Sequence, residues 1–127
     1  MNVPEDLYYT KSHEWVRLVG DNHVRMGITD HAQELMGDIV YVELPEAGES
    51  FDAGENMAVV ESVKAASDVY APVTAVVSAV NEALADTPAL INGACYDAWF
   101  VEFDDASILG LLTADEYKKF LETEEAH

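Results

Sequence analysis

Short apolar runs broken by turn residues, at roughly 8–12-residue spacing, fill most of the chain and predict an all-β sandwich or barrel. Glu14–Val19 (EWVRLV) and His23–Ile28 (HVRMGI) flank the turn residues Gly20–Asn22, the pattern of a hairpin. Thr29–Gly37 (TDHAQELMG) opens on a residue suited to an N-cap and closes on a glycine suited to a C-cap, which predicts one or two helical turns. In Asp38–Leu44 (DIVYVEL), Ile39, Tyr41 and Glu43 alternate with Val40, Val42 and Leu44, so a strand covered on much of both faces is expected, ended by Pro45 and Gly48.

Met57–Val63 reads as a further strand, and β character resumes at Asp68. Pro72 interrupts it before Val73–Val80 extends again. The stretch 81–93 is rich in turn residues, and Pro88 forbids a long helix through it. Ala98–Phe103 (AWFVEF) is the last predicted strand. From Thr113 the period changes: Thr113 and Glu116 form a capping box, and Tyr117, Phe120 and Leu121 share one face of a helix over about 113–124 that should dock on the core. The fold class is therefore mostly β, with short helices and a C-terminal helix, in a single domain over residues 1–127. Val59, Val69, Val73, Val77, Trp99 and Val101 are the expected core.

Composition narrows the function more than the fold. Half of the 127 residues are hydrophobic, enough for a packed core. No apolar run approaches the ~20 residues of a membrane span, and no basic, then apolar leader opens the sequence, so a cytoplasmic protein is expected. The formal net charge of −19 repels phosphate backbones and anionic membrane surfaces, which argues against nucleic-acid or membrane partners. It suits steering toward basic patches on partner proteins, or an acidic surface adapted to high salt; charge alone does not separate the two.

Enzymatic signatures are missing. There is no glycine-rich phosphate loop, Cys-x-x-Cys pair or Gly-x-Ser-x-Gly elbow. His13, His23, His31 and His127 lack the i, i+4 spacing of a helical ligand pair, so no metal site is expected. Cys95 is the single cysteine and has no basic neighbours in sequence, so it is expected to be a small buried hydrophobe and not a reactive thiol.

One residue stands apart. Between Arg25 and Lys118 lie eighteen acidic residues and a single base, Lys64. It could be an ordinary surface lysine paired with Glu61 or Asp68. Apolar strands on either side would instead present its turn rigidly, and the small Ala65, Ala66 and Ser67 leave room for another protein to reach the amine. A protruding lysine on a stiff hairpin is what a swinging prosthetic arm needs, since the fold then supplies position and the cofactor supplies chemistry.

Several stretches together resemble the H protein of the glycine cleavage system: His13–Val16 (HEWV), Gly27–Asp38 (GITDHAQELMGD), Val40–Gly48 (VYVELPEAG), Glu61–Val73 (ESVKAASDVYAPV) and Ala79–Asn81 (AVN). The resemblance runs from about Val3 to Tyr117, and Glu61-Ser62-Val63-Lys64-Ala65 is similar to that family's lipoylation signature. It implies a lipoyl-type barrel-sandwich hybrid fold with lipoate joined by an amide to Lys64, and Glu61, Ser62, Val63 and Ala65 as the recognition motif around it. It implies no catalysis by the chain itself, but a monomeric carrier that shuttles an aminomethyl group. Its partners would be a pyridoxal-phosphate glycine decarboxylase, a folate-dependent aminomethyltransferase, a flavin dihydrolipoyl dehydrogenase and the enzyme that attaches lipoate. The family's pocket for the loaded arm maps onto Ser12, Glu14 and Asp68; where some relatives carry a histidine, this chain has Leu35.

Two departures qualify the match. Relatives tend to read Pro-Tyr-x-x-Gly-Trp where this chain reads Cys95-Tyr96-Asp97-Ala98-Trp99, and Ser-Gly where it has Thr74-Ala75, so a changed turn is expected at Ala75. Such changes beside an intact lipoylation hairpin also resemble lipoate-binding paralogues that serve a heterodisulfide-reductase-like sulfur-oxidation complex. That is the alternative reading of the carrier. An interaction module that has lost its arm fits the intact Glu61–Pro72 stretch poorly.

Overall fold

In the computed structural model, which describes residues 2–106 and 110–125, nine strands and four helices pack as two sheets with helices at their margins. The strands are β1 (Tyr8–Tyr9), β2 (Glu14–Gly20), β3 (His23–Ile28), β4 (Ile39–Glu43), β5 (Ser50–Phe51), β6 (Asn56–Ser62), β7 (Ala66–Tyr70), β8 (Ala75–Val80) and β9 (Val101–Asp104). The helices are α1 (Asp30–Met36), α2 (Ala83–Asp86), α3 (Leu90–Gly93) and α4 (Ala114–Glu125). One sheet has the order β1-β2-β3-β9-β8-β5, the other β4-β6-β7, and every pairing is antiparallel.

Between them lies a core that includes Val16, Val24, Met26, Val42, Val60, Val69, Val77, Phe100, Val101 and Phe103. Burying each such side chain is worth about 1.5–3 kcal/mol. A second cluster, around Trp15, Tyr9 and Leu7, takes up the apolar face of α4 through Tyr117 and Leu121, with Tyr9 and Tyr117 stacked at 4.6 Å. The cap of α4 forms in both directions. Thr113 N–H donates to Glu116 Oε1 at 2.9 Å, and Glu116 N–H donates to Thr113 Oγ1 at 3.3 Å.

Several elements depart from the sequence pattern, each for a local reason. β4 is not covered on both faces: Val40 and Tyr41 are 55% and 48% exposed. A break in register between Ile39 and Tyr41 turns Ile39 and Val42 to the same interior, so strict alternation fails. The final ladder begins at Val101 and not Ala98, because Ala98 N–H is held by the carbonyl of Ala94 in a turn. Of the expected core, Val69, Val73, Val77 and Val101 are buried. Val59 and Trp99 are only half-buried, and Trp99 gives its face to the Arg25 guanidinium 4.6 Å away. Pro88 separates α2 from α3, each a single turn. Ala75 simply opens β8 without a left-handed backbone, so alanine is accommodated there.

Candidate functional site

Lys64 sits where β6 turns into β7. The ladder runs Asn56↔Tyr70, Val59↔Asp68, Val60↔Ser67 and Glu61↔Ala66, and Val63 and Lys64 form the tip. The serine of the motif builds this turn. Ser62 N–H donates to the Ala65 carbonyl at 2.8 Å, while Ser62 Oγ accepts from the N–H groups of both Lys64 and Ala65 at 3.2 Å. Val63 N–H donates to the Asp38 carbonyl at 3.1 Å, tying the tip to the chain before β4.

The lysine is exposed, and among the described residues no carboxylate lies within ion-pair distance of it, so neither Glu61 nor Asp68 pairs with it. Its side chain runs over Gly37 at the end of α1. A Cβ built on Gly37 would stand 3.5 Å from Lys64 Cε and 3.8 Å from Nζ. Asn92 holds that helix end in place: its amide donates to the Gly37 carbonyl at 2.9 Å, and its oxygen accepts from Ile39 N–H at 2.8 Å.

Beside the hairpin, between α1 and β7, is a cleft of about 150 Å³. Ser12, Glu14 and Asp68 all line it, together with Met36 and Leu35, which is 65% exposed. Their environments differ sharply. Asp68 and Ser12 are exposed, whereas Glu14 is 2% exposed. Glu14 Oε1 accepts from the Thr10 hydroxyl at 2.6 Å and the Ser12 hydroxyl at 2.5 Å, while Oε2 has only a long bond from Tyr70 N–H at 3.4 Å. Burial pushes the Glu14 pKa up, and the three hydrogen bonds oppose it without cancelling it. This is a carboxylate wired on one oxygen and under-satisfied on the other, suited to an incoming cationic donor.

A larger groove of about 620 Å³ shares Asp68 with the cleft and is lined also by Glu43, Glu46 and Glu49. Of Ser12, Glu14 and Asp68 it holds Asp68 alone, whereas the smaller cleft brings all three together. Cys95 is buried, its carbonyl accepts from Trp15 Nε1 at 3.0 Å, and desolvation pushes its thiol up to about 12, so it is a packing residue. Gly37 caps α1 as its position suggested, but sequence spacing missed its contact with Lys64, the role of Thr10, and the meeting of His13 and His31 beside Glu124. His127 lies outside the described residues.

A hairpin-borne lysine on a barrel-sandwich beside an acidic cleft defines a lipoyl-type carrier. The profile of the family described as glycine cleavage H-protein matches residues 7–124. A glycine cleavage system H protein from Thermoanaerobacter sp. is 54% identical over 127 residues, covering 98% of this chain and 100% of the relative. One from Shewanella baltica is 50% identical, covering 97% and 98%. The crystal structure of a glycine cleavage system H protein from Mycobacterium marinum superposes with a TM-score of 0.84 at 41% identity, covering 92% of this chain and 97% of that one. The chain belongs to the glycine cleavage H-protein family. It is a non-catalytic carrier with lipoate covalently attached to a lysine, and it works with the other components of glycine cleavage. The relatives named are all glycine cleavage H proteins, and the sulfur-oxidation alternative finds no support among them. No described helix is long and apolar enough to cross a membrane.

Proposed function

We propose that Lys64 is the lipoyl-bearing residue, that Glu61, Ser62, Val63 and Ala65 form the motif read by the attaching enzyme, and that Ser12, Glu14 and Asp68 shelter the loaded arm. The observation that carries this reading is Lys64 itself: an exposed ammonium, without an ion-pair partner among the described residues, at a hairpin tip fixed by Ser62 and by the Val63–Asp38 bond. The group fits the site, since an amide on Nζ leaves every one of those contacts intact. Bound lipoate supplies the dithiolane that takes up and releases the aminomethyl cargo.

The protein's own residues do the rest. The β6–β7 ladder holds the arm's root at one place on the surface, so a partner meets it in a fixed orientation. A protonated amine brought into the cleft finds the remaining lone pairs of Glu14 Oε2, on a side chain that is itself buried, and the exposed carboxylate of Asp68. A charge-assisted hydrogen bond there is worth about 1.5–3 kcal/mol. The partners in this reading are the pyridoxal-phosphate decarboxylase, the aminomethyltransferase, the dihydrolipoyl dehydrogenase and the lipoate-attaching enzyme. All of residues 1–127 act as one monomeric carrier domain in the cytoplasm.

Intact-mass measurement of the native protein, followed by peptide mapping, tests the assignment. One lipoyl group on the peptide containing Lys64 is expected. Lipoate on Lys11, Lys118 or Lys119 with Lys64 free would reject it.

A further inference from the structure

Three residues far apart in sequence converge where α4 crosses the start of β2. His13 ends the turn before β2, His31 lies in the first turn of α1, and Glu124 in the last turn of α4. Glu124 Oε2 is 3.2 Å from His13 Nε2 and 3.8 Å from His31 Nε2, and the two imidazole rings are 4.6 Å apart. We propose that His13, His31 and Glu124 form a binding site for a divalent transition-metal ion of the zinc type, which clasps the C-terminal helix to β2 and α1.

Ligand chemistry and spacing both suit such an ion. Two imidazoles and one carboxylate, with a fourth position open to water, is an established Zn²⁺ ligand set. Zinc–ligand bonds of about 2.0–2.2 Å put tetrahedral donors roughly 3.3–3.6 Å apart. The donor atoms here all lie within 4.8 Å of one another, so small side-chain rotations would bring them onto one ion.

Two further observations point to a ligand. The His31 side chain is nine-tenths buried, its Nδ1 has no hydrogen-bond partner, and its Nε2 stands beyond hydrogen-bond reach of Glu124. Coordination through Nε2 would engage the nitrogen that Glu124 does not reach, with Nδ1 then carrying the proton and keeping its present surroundings. His13, by contrast, already has the outer partner that orients a metal-bound imidazole: its Nδ1 is 2.8 Å from the Tyr117 hydroxyl, itself 2.8 Å from Thr29 Oγ1. Those hydroxyls can accept or donate, so Nδ1–H can donate to Tyr117 while Nε2 turns its lone pair to the metal. The net charge of −19 draws cations to the whole surface, so specificity must come from the two histidines.

The experiment titrates the untagged, chelator-treated full-length chain with Zn²⁺ by calorimetry and follows Co²⁺ by its visible spectrum. One ion per chain and a tetrahedral Co²⁺ spectrum are expected, with a rise in Tm on Zn²⁺ addition. Glu124→Gln alters a half-exposed side chain, and it should weaken binding by at least about tenfold, as should His31→Gln. His23→Ala and His127→Ala should leave binding unchanged. Equal Zn²⁺ affinity in the parent, Glu124→Gln and His31→Gln proteins would overturn the proposal. So would loss of the bound ion in His23→Ala or His127→Ala, or Co²⁺ binding with only a six-coordinate spectrum.

Discussion

The stem of Lys64 lies across Gly37, and Gly37 is a glycine for reasons of backbone, not space. Its φ of 80° and ψ of −153° fall in a region that is essentially glycine-only, while an added Cβ would meet Lys64 Cε at an ordinary contact distance of 3.5 Å. Gly37→Ala is therefore expected to cost about 1–3 kcal/mol through backbone strain alone. Urea denaturation measures that loss. Lipoate attachment to the folded variant should still proceed, since the hairpin contacts of Ser62 are untouched; a fully stable variant would mean the helix end relaxes freely.

Removing the lysine should have the opposite profile. Lys64 makes no ion pair among the described residues, and the turn around it is held by backbone groups and the Ser62 hydroxyl. Lys64→Ala should change stability by under about 0.5 kcal/mol, as expected for an exposed side chain. Carrier activity, read as glycine–bicarbonate exchange with the decarboxylase and aminomethyltransferase of a relative, should vanish. Marked destabilisation would make Lys64 a structural residue.

Much of this site was legible in the sequence because it is local. The β6–β7 hairpin is two apolar runs around four residues, so an isolated lysine between them could be placed at the tip without knowing the rest of the fold. The N-cap at Thr29 and the capping box at Thr113 are equally local and form as read. What escaped depends on chain crossings. The irregular register at Ile39 shifts which β4 residues face inward, and nothing in DIVYVEL announces it. The burial of Glu14 needs Thr10, Ser12 and Tyr70 to close around it, and spacing gave no sign of it. His13 and His31 looked scattered because they share no helix; the β2–β3 hairpin returns the chain so that the two rings meet 4.6 Å apart, tilted by 36°.

Gly27 shows how a residue of a recognisable motif acts through packing. It pairs across the ladder with Trp15, which is fully buried, and an added Cβ would lie 2.7 Å from Trp15 Cζ2 and 2.8 Å from Nε1. The indole has no room to yield, since its N–H is bonded to the Cys95 carbonyl at 3.0 Å. Gly27→Ala should cost roughly 1–3 kcal/mol, the range for overpacking a core. Urea denaturation followed by intrinsic fluorescence, to which both Trp15 and Trp99 contribute, measures that loss. An unchanged midpoint would show that β2 and β3 can part at no cost.

Glu14→Gln separates what the cleft does for the fold from what it does for the cargo. Burial holds the Glu14 pKa above its ordinary value of 4.5, so the ionised carboxylate is less favourable folded than unfolded. Its cost to stability is fully present above the raised folded pKa, is relieved as pH falls through it, and is gone below the ordinary value. Glutamine keeps an oxygen to accept from Thr10 and Ser12, losing only the long bond from Tyr70. The variant should therefore be more stable than the parent at pH 7, with the advantage shrinking as the solution is acidified. Its effect on the loaded arm runs the other way. Losing a charge-assisted hydrogen bond of about 1.5–3 kcal/mol should speed release of ammonia and formaldehyde roughly 10- to 150-fold. Asp68→Asn, at an exposed position, should do less. Release rates from loaded protein, measured beside urea midpoints at pH 7 and pH 4, decide both halves. A Glu14→Gln carrier that holds its cargo as long as the parent would remove Glu14 from the pocket's function and leave it a buried acid with no assigned work.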